Sequence, residues 1–385
     1  MPIMTGLSGN EMYCLHLKGM KPGDLVIGNS VFSMGFLGSL AAAGRGFLGG
    51  EVQQITSIIH EGRLEAYNRM IREAQQHGGI GITGVTNELL TFHGNTEFLS
   101  VASCVHGENG RSEQLRFSTS ADGQELYCQL DAGFTPIKFC FGNVAYSIGA
   151  AGGIVGGLKS MSRGEIREFS DVFNMTRHLA LQRICADAAQ AGANCVVGIE
   201  TRTMRFQGAH EMLMMGTGSH HPAFSVAGAA PPRDSTLPYQ PAPATHPHAA
   251  YPAQPVTSDL TNEEMWNLVH MGYLPLKLVL GTAVYSLGVV GGLKAMFSSF
   301  TRGEVTELTS LIYDAREHAI GLIRDEASAI GADDVVGIKT HIHEHGNLIE
   351  FMAIGTAVKK YPGVTTVNEM LPPQAIIKDK DTWVS

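Results

Sequence analysis

LVIGNSVFSMGFLGSL (residues 25–40), FCFGNVAYSIGAAGGI (139–154) and LVLGTAVYSLGVVGGL (278–293) are three forms of one segment. Each runs from an apolar stretch through a glycine to a serine, and then into more glycine. Gly142 lies 114 positions after Gly28, and Gly281 lies 139 after Gly142. The same two offsets place Ser33 on Ser147 and Ser286, and Gly50-Glu51 on Gly164-Glu165 and Gly303-Glu304. Arg63 falls on Arg177 and Arg316, Gly84 on Gly198 and Gly337, and Glu97 on Glu211 and Glu350. A register held so long without a gap is internal repetition, and it decides the fold before anything else does.

Upstream, Glu11, Glu125 and Glu264 share a position, as do Pro22, Pro136 and Pro275. The 385 residues therefore read as repeat 1 (8–107), repeat 2 (123–222), a Pro/Ala/His-rich linker (223–258), repeat 3 (259–361) and a C-terminal tail (362–385). The linker composition cannot bury enough apolar surface to fold, so a mobile tether is expected there. The tail is expected to be loosely held, and residues 107–124 to be a short polar connection.

In repeat 3, Thr261-Asn262-Glu263-Glu264 reads as an N-cap followed by first-turn carboxylates. The short helix ends at Gly272, and Pro275 keeps it from restarting. Residues 276–286 read as a buried strand. Apolar residues at three- and four-residue spacing predict a long helix over 301–330. Strands over 334–344 and 348–359 follow, joined at Gly346-Asn347. The fold class is α+β: three tandem β-α-β-β modules, each preceded by a short helix.

Hydrophobic residues make up 44% of the chain and charged ones 16%, which is globular. A net charge of −9 argues against nucleic acid as a partner. The six cysteines form no C-x-x-C pair and sit in apolar runs, which points to reduced thiols and a cytoplasmic protein. The N-terminus lacks a signal-peptide pattern. Uncharged runs at 25–44 and 139–158 have membrane-helix length, but their glycine content reads better as a strand feeding a turn.

The pattern of G-[NT]-x-x-[FY]-S, R-G-E-[IV], a helix with a central Arg, and G-A-[ND]-x-V-V-G-I resembles the YbjQ-like, so-called heavy-metal-binding domain family. Residues 192–199 and 331–338 carry the last motif well; the first repeat departs from it at 78–85 and has Gly49 in place of the Arg. The resemblance implies a dodecin-like two-layer domain, assembly as pentameric rings, and no enzymatic activity.

Among candidate sites, His341, His343 and His345 alternate along a strand and so share one face, a pattern suited to a divalent transition metal. Metal sensing is thus one alternative function, and a membrane-associated oligomer is another. His220 and His221, at the end of repeat 2, and His246 and His248 of the linker could bind metal loosely, but read better as histidines that a mobile Pro/Ala stretch happens to carry. Glu304 is expected to complement a helix dipole, as are Glu51 and Glu165. Arg63, Arg177 and Arg316 are expected to pair with Glu97, Glu211 and Glu350, within or between subunits. Gly149, Gly153 and Gly157 would give a bare helix stripe for close contact. No nucleophile or proton shuttle repeats beside these groups, so the chain reads as a non-enzymatic, homo-oligomeric assembly protein. No resident cofactor is implied.

Overall fold

Each module begins with a helix fixed at its start by a capping box. Ser8 and Glu11, Asp122 and Glu125, and Thr261 and Glu264 exchange side-chain and backbone hydrogen bonds reciprocally. The helices they open are α1 (Gly9–Leu17), α3 (Gly123–Asp131) and α5 (Asn262–His270). The computed structural model describes residues 2–33, 50–110, 112, 114–147, 164–206, 209–224, 254–286, 306–345 and 348–377.

Module 1 continues with β1 (Met20–Ser33), β2 (Gly50–Glu51), α2 (Gln53–Gln76), β3 (Gly81–Phe92) and β4 (Asn95–Gly107). Its counterpart in module 2 is introduced by β5 (Phe117–Ser118). After α3 come β6 (Thr135–Ser147), β7 (Gly164–Glu165), α4 (Arg167–Gln190), β8 (Cys195–Phe206) and β9 (Ala209–His220). Module 3 is introduced by β10 (Val256–Thr257). After α5 come β11 (Tyr273–Ser286), α6 (Thr306–Ala329), β12 (Asp334–His345) and β13 (Leu348–Lys360). A short helix, α7 (Pro373–Ile376), follows.

In every module the first long strand pairs antiparallel with the last, and the last pairs with the one before it. The sheet orders are β1-β4-β3-β5, β10-β8-β9-β6-β2 and β12-β13-β11-β7. The short strands are exchanged between modules. β2 of module 1 adds antiparallel to β6 of module 2, and β7 of module 2 adds to β11 of module 3. In the other direction, β5 adds parallel to β3, and β10 to β8. Residues 117–118 are thus part of a sheet, where the sequence reads only a polar connection.

Two sets of repeated glycines explain themselves. A Cβ on Gly28 would lie 2.0 Å from the Ala66 carbonyl oxygen; on Gly142, 2.4 Å from that of Ala180; on Gly281, 2.5 Å from that of Ala319. The long helix of each module therefore crosses its first strand at backbone contact, and only glycine fits. Gly84, Gly198 and Gly337 have φ of 68°, 62° and 65°, and sit where the hairpin register slips. They let the strand bulge and bend.

The cores run across module boundaries. One cluster joins Phe173, Ala180 and Ile184 of α4 to Leu278, Leu280 and Val284 of β11 and to Met352 and Ile354 of β13. Another joins Tyr67 and Met70 of α2 to Phe139, Phe141, Leu213 and Met215 of module 2. α2 and α4 are each held between their own sheet and the next one, whereas α6 packs on its own sheet. Alternate residues of β6 face opposite sides, so both faces of that strand are apolar and buried.

Three further differences from the sequence reading follow from packing. β11 starts at Tyr273 rather than 276, because Pro275 sits beside a register slip that does not use its missing N–H. The tail to residue 377 is docked: Val367 N donates to Asp131 O at 2.9 Å, Asn368 donates to the Tyr127 hydroxyl at 3.1 Å, and Ala375 is buried. The ends of the linker are built in as well, through the 3₁₀ turn Pro222–Phe224 and β10. Residues 225–253, Glu304, Gly149, Gly153 and Gly157 lie outside the described residues.

The close helix–strand crossing makes a direct test. Gly142→Ala should destabilise the chain by about 1–3 kcal/mol or more through overpacking. A lowered urea midpoint with far-UV circular dichroism unchanged is the expected result.

Candidate functional site

The repeated Arg and Glu meet at the seams between modules. Arg63 on α2 forms a two-pronged pair with Glu211 on β9 of module 2, Nη2 to Oε2 at 2.8 Å and Nε to Oε1 at 3.3 Å. Its remaining nitrogen donates to Asn87 Oδ1 at 2.6 Å. Arg177 on α4 donates to Glu350 on β13 of module 3, and to the Tyr146 hydroxyl at 3.2 Å. The Arg177 guanidinium also lies over the rings of Tyr146 and Phe173, at 5.0 and 5.1 Å. All four charged side chains are 0% exposed. Burial is the largest single influence and lowers the Arg177 pKa, but the Glu350 charge, Tyr146 and the hydrogen bonds to both together outweigh it, so the net shift is upward.

The rest of each seam repeats as well. Ala145 N donates to Thr56 Oγ1 and Val284 N to Ser170 Oγ, each at 2.9 Å. Val52 N donates to Ala145 O and Ile166 N to Val284 O, each at 2.8 Å. One position differs in kind: His60 meets Asn143 at 3.2 Å in the first seam, whereas Asn174 makes two 2.8 Å bonds to the Thr282 backbone in the second.

Glu51 and Glu165 are not helix-opening carboxylates. They lie on β2 and β7, ahead of the N-cap positions Val52 and Ile166, and reach across the seam. Glu51 pairs with Arg183 of module 2 at 2.7 Å, and Glu165 lies 3.3 Å from His318 of module 3. Arg316 and Glu97 end up at opposite extremes of the chain. Among the described residues, Arg316 is exposed and forms no ion pair, and Glu97 accepts from Asn29 of its own module at 2.9 Å and pairs with no Arg.

Sequence reasoning missed Asp131, since its position does not repeat as an acid. Its fully buried carboxylate accepts from Lys18 Nζ of module 1 at 2.8 Å and from Trp266 Nε1 of module 3 at 2.7 Å. The Asn368 side chain of the tail also donates to it. One carboxylate thereby ties three modules and the tail together.

On the histidine strand, His341 and His343 stand side by side on one face of β12. The His341 and His343 rings are parallel with centroids 6.4 Å apart. Two nitrogens on one zinc, each at about 2.0–2.1 Å, would lie no more than about 4 Å from each other. The His345 side chain is outside the description, and the described residues hold no group of three metal-ligating side chains. His221 is no linker histidine: it is buried against Phe134 and Phe224, and its Nδ1 accepts from Ala223 N–H at 3.2 Å. Burial and the neighbouring His220 push its pKa down to about 3.

A cleft of about 500 Å³ opens where the three modules converge. Four of its charged groups pair with one another, Arg202 with Glu200 at 2.7 Å and Lys339 with Asp259 at 3.4 Å, while Glu125 accepts from Asp122 N–H at 3.2 Å. Burial raises the Asp259 pKa. Among the described residues no helix is long and apolar enough to cross a membrane.

Modules of one fold, joined twice by one kind of buried seam, define a tandem-repeat protein whose units bind each other. The chain belongs to the YbjQ family, described as "Putative heavy-metal-binding", whose model matches residues 18–105, 135–220 and 273–361. It is 31% identical over 209 residues to the encapsulin nanocompartment protein Rv1762c of Mycobacterium tuberculosis, covering 51% of this chain and 76% of that one. A UPF0145 protein of Vibrio campbellii is 40% identical over 77 residues, 20% of this chain and 74% of the relative. A UPF0145 protein of Shewanella frigidimarina is 39% identical over 77 residues, 20% of this chain and 72% of its own length.

Removing one member of a buried ion pair costs about 3–5 kcal/mol, because the other charge stays in a dry site. Glu350→Gln should therefore lower the urea midpoint far more than Glu65→Gln, which breaks the solvent-exposed pair with Arg69. For His221 the folded pKa lies below the unfolded one. The unfolded chain takes up a proton below pH 6.5 that the folded chain refuses, so stability falls as pH drops from 6.5 toward about 3. His221→Gln should flatten that fall, measured as the urea midpoint against pH.

Proposed function

We propose that this chain is a non-enzymatic, cytoplasmic assembly protein: three ring-forming modules fused in series, which associate with further copies of the chain. The observation that carries this reading is the seam. The same fully buried Arg–Glu contact, with the same strand exchange, is made twice in one chain. A module built this way completes its sheet and covers its long helix only by contact with neighbours. The likeness to an encapsulin nanocompartment protein supports a multi-ring or shell-like product. All six cysteines are free and buried, in keeping with a reducing compartment.

The family resemblance implies five-module rings. Three modules joined in series fill three of five such places, so closing five-fold rings requires chains to share modules between rings. Two chains joined end to end instead fill a ring of six. The metal-sensing reading has weaker support: the His341 and His343 rings lie parallel with centroids 6.4 Å apart, and both would have to turn their nitrogens toward each other to share one ion.

Mass photometry of the purified chain tests the proposal. Particles with the mass of two or more chains are expected, and a single-chain mass across the nanomolar to micromolar range overturns it.

A further inference from the structure

Module 2 has five strands because both neighbours add to its sheet. Modules 1 and 3 have four described strands each, and each lacks the outward one: nothing described pairs with the free edge of β1 or of β12. The repeat register says what is missing on β12. β5 pairs with Gly81 and Ile82, and β10 with Cys195 and Val196. The equivalent residues of module 3 are Asp334 and Val335, and the equivalent of the added strand is Ile3-Met4. Phe117 and Val256 are 3% and 2% exposed in their exchanged strands, whereas Ile3 and Met4 are 51% and 72% exposed. Met4 is already held in place for the role. Its carbonyl accepts from Leu25 N at 2.6 Å, where Phe139 N and Leu278 N are held by Ser118 and Thr257.

The outward face of β1 agrees. Leu25, Ile27 and Val31 are 38%, 48% and 53% exposed, yet their equivalents on β6 and β11 are no more than 3% exposed beneath the preceding module's helix. At the other end, Ile338 is 46% exposed, against 3% for Ile199 and for Val85. Among the described residues, the one repeated Arg without an acid partner, Arg316, lies on that end, and the one repeated strand Glu without an Arg, Glu97, lies on the first.

We propose that the module 3 face of one chain binds the module 1 face of a second copy, through the joint already made twice within the chain. Ile3-Met4 of the second copy adds as a parallel strand to Asp334-Val335, and Arg316 pairs with Glu97 of the second copy. Both faces are uncovered, apolar and complementary in charge, and they continue an established interface. The joint is head-to-tail, so it closes into a ring or extends into a helical array according to the rotation per module. This rests on the assembly reading above and assigns the surface that reading uses.

The test uses the full chain. Arg316→Glu sets two acids against each other and should weaken self-association by about tenfold or more in mass photometry. Glu97→Arg/Arg316→Glu should restore it, with circular dichroism unchanged in both. Under oxidation, Ile3→Cys/Asp334→Cys should give covalent multimers on a non-reducing gel that neither single variant gives. A wild-type oligomer unaffected by Arg316→Glu, with no link from the double-cysteine chain, overturns this joint and leaves the assembly reading standing. A single-chain wild type overturns the assembly reading, and this one with it.

Discussion

A guanidinium and a carboxylate, both withdrawn from water, fix the geometry of every seam. Such a pair contributes little net stability against an apolar pair of the same shape, since desolvating both ions offsets their attraction. What it does impose is position. A charge left unmatched in a dry interface is heavily penalised, so modules settle where Arg63 meets Glu211 and Arg177 meets Glu350. The glycine crossings, the exchanged strands and the cores shared across boundaries all depend on that alignment.

Strand exchange then removes the ordinary distinction between a domain and its neighbour. β5 belongs to module 2 by sequence and to module 1 by hydrogen bonding. The long helices α2 and α4 belong to two cores at once. Asp131 adds a contact that the repeat does not predict, since Lys18, Trp266 and Asn368 converge on one carboxylate where the equivalent positions are Leu17 and His270. A module of this kind completes its sheet and its core with its neighbours' residues.

The architecture was legible in the sequence because repetition fixes it: the glycine register located the three modules, their lead-in helices and the helix–strand order. The pairing of Arg with strand Glu was legible as chemistry, but its direction from one module to the next was not. Spacing within a repeat does not say which repeat supplies the partner. Two-residue strands such as Phe117–Ser118 carry no periodicity to read, and they become strands only because a neighbour's edge is open. The docked tail and the burial of His221 were hidden for the same reason, because both are decided by tertiary contacts. Alternation along 341–345 did signal a shared face, but a shared face does not set the distance between ring nitrogens.

The two seams are alike in their ions and unlike at their margins. His60 faces Asn143 in one, and Asn174 clasps the Thr282 backbone in the other. Free-standing identical subunits are interchangeable and meet in any order. Here each junction has its own lock, so the order one-two-three is written into the surfaces as well as into the covalent chain. A polymer of such chains keeps a fixed phase, and each position along it is chemically addressable.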